Sequence, residues 1–121
     1  MRMEFHVDIW LRGDNHATTL ALAPVGRLPR DWTEGDVSDV LVAMLRAIDR
    51  ARNPDSPPDR TVGLRGFSWI VNPFESGGVV IALEMTMGAV IGGPFDIAES
   101  RLSEMIRRVM EAARTETPTV H

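Results

Sequence analysis

His6, Asp8, Trp10 and Arg12 occupy alternate positions of the segment MEFHVDIWLR, and in a strand that spacing puts all four side chains on one face. An imidazole beside a carboxylate is the pairing that general-base chemistry or metal ligation requires, because the carboxylate raises the basicity of the ring. Glu84, the single charge in the apolar run VVIALEMTMGAVI, would add a third donor if its strand lies close by. Trp10 would then form an apolar wall beside convergent polar groups, the usual composition of a binding site. Ile70 and Asn72, at alternate positions of SWIVNP, are the candidates to extend this face from a further strand. Histidine and aspartate also alternate on strands that do no chemistry, so this spacing alone does not establish a site.

A second place for chemistry is GAVIGGP, residues 88–94, which leads toward a helix start where free N–H groups and the helix dipole could hold an anion at Gly92 and Gly93. The segment lacks the lysine and hydroxyl of a P-loop and the spacing of a dinucleotide fingerprint. A strand exit that needs permissive backbone is the plainer reading. Arg27 and Arg30 lie in the corresponding earlier loop. No nucleophile-elbow serine and no HExxH motif occurs. The absence of cysteine excludes disulfide frameworks, thiolate metal sites and cysteine nucleophiles.

These residues need elements to position them, and hydrophobic periodicity supplies the elements. Phe5, Val7, Ile9 and Leu11 alternate with the polar set, so the first strand has one core face. Gly13-Asp14-Asn15 has turn chemistry, and a second strand over about 16–23 completes a hairpin. PVGRLPRD, residues 24–31, is a loop. Either Asp31 with Glu34 or Thr33 with Asp36 could form a capping box ahead of a helix whose apolar stripe is Val37, Val40, Leu41, Met44, Leu45 and Ile48. Burying that stripe is worth roughly 9–18 kcal/mol before entropy, so packing rather than propensity holds the helix.

RNPDSPPDRT, residues 52–61, reads as an exposed linker. A third strand over 64–74 and the turn Glu75-Ser76-Gly77-Gly78 lead into a fourth strand from Gly78 to about Met87, apolar on both faces apart from Glu84. After Gly92-Gly93-Pro94, Asp96 and Glu99 offer a capping box for a second helix with the stripe Leu102, Met105, Ile106, Val109, Met110 and Ala113. Residues 115–121 read as a frayed tail. The expected fold is α+β: a ββα-ββα order forming a four-stranded, mostly antiparallel sheet with two helices on one face. It would be one domain over residues 1–114, with a possible internal repeat of 3–52 in 64–114.

The chain of 121 residues is 44% hydrophobic and 25% charged, with a formal net charge of -4. That balance is globular and gives no reason to expect nucleic acid or an anionic membrane as partner. The start of the sequence lacks the apolar region of a secretory signal, which predicts a cytoplasmic protein. Every basic residue is arginine, as in GC-rich bacterial coding. A fourth strand that is apolar on both faces, and an outer face mixing Trp10, Ile70 and Val80 with His6, Asp8 and Glu84, demand a cover. The expectation is a self-associating binding module, a homodimer, rather than an enzyme. The alternative is a small-molecule or metal site built from His6, Asp8 and Glu84; no cofactor is indicated.

Overall fold

The computed structural model describes residues 3–55 and 62–116. Part of the proposed linker, residues 56–61, and the end of the proposed tail, residues 117–121, lie outside the described residues. Seven main elements follow in order: β1 (Met3–Leu11), β2 (Thr18–Val25), α1 (Glu34–Arg52), β3 (Ser68–Pro73), β4 (Val79–Met85), β5 (Gly88–Phe95) and α2 (Glu99–Glu116). A single 3-10 turn, Pro29–Asp31, precedes α1. All strand pairs are antiparallel, in the order β2-β1-β5-β4-β3. The α+β class and the antiparallel sheet are as expected from the sequence.

The strand count differs. The sheet has five strands, because the apolar run from Val79 to Ile91 is a hairpin rather than one strand. Met85 pairs with Gly88 across a turn of Thr86 and Met87. Neither turn residue is one that sequence patterns associate with tight turns, which hid the reversal. The run from Val79 to Phe95 far exceeds the ~5–6 residues of an ordinary strand, and that length was the available signal. The two halves of the chain therefore contribute two and three strands, not matching pairs.

Gly92-Gly93-Pro94, expected as a break, lies inside β5. Opposite it, Val79 pairs with Phe95 and Ile81 with Gly92, so β5 carries one residue more than β4 between these pairs. Such a bulge admits a proline that cannot donate to the ladder. Gly93 has φ +123, and a Cβ there would meet the carbonyl oxygen of Val79. The extra residue also resets the alternation, so Gly92 and Phe95 both face the core.

Both helices cover one face of the sheet. α1 packs on β1, β2 and β5, and α2 packs on β3 and on α1. The core joins Phe5, Val7 and Ile9 of β1 to Ile81, Leu83 and Val90, and to both helical stripes, of which Met110 and Ala113 are only partly buried. Phe95 sits between Phe5 and Trp32, with ring centroids 4.9 and 5.0 Å away. Trp32 is fully enclosed and its indole N–H donates to the carbonyl of Arg27 at 3.0 Å.

Of the two capping boxes that the sequence offers for α1, Thr33 with Asp36 is the one formed. The Asp36 N–H donates to Thr33 Oγ1 at 3.2 Å, and the Thr33 N–H donates to Asp36 Oδ2 at 3.0 Å. Arg27 Nε also donates to Asp36 Oδ2, at 2.7 Å. At α2, the Ala98 carbonyl accepts the Leu102 N–H, and Asp96 accepts a 2.6 Å bond from Arg30. Arg30 and Asp96 are both exposed, so that pair adds little stability.

Asp36 is the one buried charged side chain among the described residues. The Arg27 hydrogen bond, reinforced by the Thr33 N–H, holds its carboxyl below the usual carboxylate range. A depressed folded-state pKa stabilises the protein above the unfolded value of about 4, and the gain is lost as pH falls through the folded value. Asp36→Asn is therefore expected to cost about 1–2 kcal/mol at neutral pH in urea unfolding, a penalty that shrinks in melts run progressively below about pH 4.

Candidate functional site

The sheet face opposite the helices carries the residues singled out by the sequence. Strand pairing aligns Ile70, Ala82, Ile91, Asp8 and Thr19 in one row across all five strands. The next row is Ser68, Glu84, Ala89 and Trp10. Asn72 stands opposite Val80 at one side and His6 opposite Ala21 at the other. No described element packs over this face, and it leaves Ile70 52% and Trp10 39% exposed. Val80, Ala82, Ala89 and Ile91 are half-buried by their neighbours in the sheet.

The candidates divide into two groups. Trp10, Arg12 and Glu84 line a shallow groove of about 720 Å³, together with Phe67 and Ser68. Gly88, which has no side chain, and Ala89, which has only a methyl, line the trough between Trp10 on β1 and Glu84 on β4. His6, Asp8, Ile70 and Asn72 lie outside the groove. Asp8 accepts a 2.7 Å hydrogen bond from Thr19 Oγ1, which draws its carboxylate toward β2 and away from Glu84. With β5 between them, Asp8 and Glu84 sit on strands about 10 Å apart. Among the described residues, no group of three His, Asp or Glu side chains is placed to hold a metal ion. The trio of His6, Asp8 and Glu84 thus shares a face without converging.

Gly92 and Gly93 lie in β5 rather than in a loop before α2. Gly92 is buried beneath α1, where a Cβ would press on Val7 and on the Met44 thioether. Its role there is close packing between sheet and helix. Arg27 and Arg30, the charges proposed for an anion, are each bound to a carboxylate.

Ala89 and Ile91 are central to the face and were missed as face residues in the sequence. Reading their strand as a continuation of β4 gave them no defined side. The hairpin at Thr86-Met87 assigns them, and the alternation of Ala89 and Ile91 with the buried Val90 and Gly92 would have done so once the turn was located.

Gly88 lets the backbones of β1 and β5 approach closely beside the groove. Its φ of +150 is unfavourable for other residues, and a Cβ would collide with the carbonyl of Trp10. The Arg12 N–H donates to the Met87 carbonyl at 2.8 Å just beyond, so β1 and the β4–β5 turn are locked together at this end. Compared with known proteins, the chain matches no family model, no curated protein and no solved structure. None of the described helices is long and apolar enough to cross a membrane.

Gly88→Ala is expected to lower stability by about 3 kcal/mol or more, since backbone rather than a movable side chain blocks the added methyl. Chemical denaturation checks this. Gly13→Ala, at a turn glycine of φ +95 with open space around it, is expected to cost less.

Proposed function

We propose that the chain is a self-associating binding module whose uncovered sheet face docks onto the same face of a second copy. The observation that carries this reading is the apolar row of Ile70, Ala82 and Ile91, with Trp10 beside it, on the face that neither helix covers. Apolar side chains occupy its middle, whereas Asn72, Ser68, Thr19 and His6 lie toward its margins, the pattern of a docking surface with a polar rim. The face carries charges of both signs, Asp8 and Glu84 against Arg12, so a copy related by a two-fold axis can set opposites together. Five strands of six to nine residues give a face of roughly 24 by 20–30 Å, the scale of the smaller specific interfaces.

Sedimentation equilibrium is the direct test. The wild-type chain is expected to dimerise at micromolar concentration, and Ile70→Asp with Ile91→Asp to sediment as a folded monomer. Edge pairing through β2, whose sequence TTLALAPV carries no charge, is the competing geometry. It would be identified by a dimer that survives both face substitutions and dissociates with Leu20→Lys. A monomer at high concentration would end the self-association reading.

The groove between Trp10 and Glu84 favours a second reading, a small-molecule site with Trp10 as one wall. In a metabolite panel followed by thermal shift, a ligand of this groove should lose its effect in Glu84→Ala and in Trp10→Ala. Its effect should persist in His6→Ala, because His6 lies outside the groove.

A further inference from the structure

We propose that a second cleft, on the helix side of the sheet, binds a small organic acid: a carboxylate or phosphate monoester joined to an apolar body. The cleft holds about 720 Å³, within the range of roughly 300–1,000 Å³ usual for small-molecule sites. It lies where the C-terminal half of α1, the end of β1 and the β4–β5 turn leave a gap beside residues 62–66. Three arginines reach it from three separate parts of the chain: Arg12 directly after β1, Arg52 at the last position of α1, and Arg65 ahead of β3.

None of the three makes an ion pair among the described residues, whereas Arg27, Arg30, Arg107 and Arg108 are all spent on carboxylates. Among the described residues the lining carboxylates are Asp14 and Asp49, fewer than the guanidinium groups, in a chain whose net charge is -4. The planar guanidinium fork matches carboxylate and phosphate oxygens two at a time, and its charge persists at any physiological pH. Arginines carried by separate elements of the fold and aimed at one concavity suit an acid group held from several sides.

The remainder of the lining is apolar. Leu45 and Ile48 of α1 form its buried base, and Leu11, Met85 and Met87 form its sheet-side wall. Methionines adapt to irregular hydrocarbon shapes, which suits an alkyl or aryl body more than a compact ion. Burying a few methylenes there adds about 0.8 kcal/mol for each. Inorganic phosphate alone would use only the rim of the site. This cleft adjoins the groove of the open sheet face and shares Arg12 with it, but Arg52 and Arg65 line the cleft and not that groove, so their variants report on the acid site independently of self-association.

Titration calorimetry on the full chain tests the inference with octyl phosphate, octanoate, inorganic phosphate and octanol as probes. Octyl phosphate or octanoate should bind, more weakly as salt rises, with inorganic phosphate and octanol each at least about tenfold weaker. Arg12→Ala, Arg52→Ala and Arg65→Ala should each weaken the acid about tenfold, and Arg50→Ala, outside the cleft, should leave it unchanged. Circular dichroism melts establish that each variant is folded. Silence from both acids at millimolar concentration, octanol binding as well as octanoate, or folded arginine variants that bind like wild type would each overturn the proposal.

Discussion

The ladder between β1 and β5 holds the molecule together, since every other strand contact is a local hairpin. β1 with β2 alone is a two-stranded ribbon, and β3 to β5 is a meander with one helix at its side; neither buries enough apolar surface to stand alone. Joined through Val7–Gly92 and Ile9–Val90, they become one sheet on which α1 lies across the seam. The seam demands small residues. Gly88 lets the two backbones meet beside Trp10, and Gly92 lets Met44 of α1 descend onto the sheet. Side chains on either glycine would push the layers apart where the two halves of the protein are joined.

The other end of the core depends on a different device. Phe95 faces inward only because the bulge in β5 shifts the alternation, and there it meets Phe5 and Trp32. Trp32 is delivered by the loop before α1, which is tied down through Arg27: its carbonyl accepts the indole N–H and its guanidinium binds Asp36. A carboxylate that caps a helix thereby also fixes the aromatic lid of the core. Across the helix surfaces, Arg108 reaches Glu104 within α2 and Glu34 on α1, which adds a weaker, solvent-screened link.

Much of this was legible in the residues. The inward set of β1, the apolar stripes of both helices and the alternation of Trp69 and Val71 with Ile70 follow from elementary periods of two and 3.6. The hairpin of β4 and β5 was not legible, because a turn of Thr-Met carries none of the residues that mark reversals. The bulge was misread as a break, because glycine and proline serve both purposes. The mixed outer face was foreseen, yet its geometry was not. Which side chains converge depends on strand order, and the insertion of β5 between β1 and β4 is what parts Asp8 from Glu84. The cluster of Arg12, Arg52 and Arg65 had no sequence signal at all, since its members meet only after the chain has folded.

The position of β1 has a consequence for the order of events during synthesis. Along the chain this strand precedes the other elements, yet it ends up in the interior of the sheet, and one of its two neighbours is β5, the last strand. Until the ribosome has delivered β5, one whole edge of β1 has no native partner, and the alternating apolar side chains of Phe5, Val7 and Ile9 have at most α1 to lie against. Contacts this distant along the chain slow folding and prolong the lifetime of an open, adhesive strand edge. The nascent protein must therefore keep β1 from pairing with other strands until β5 has been made.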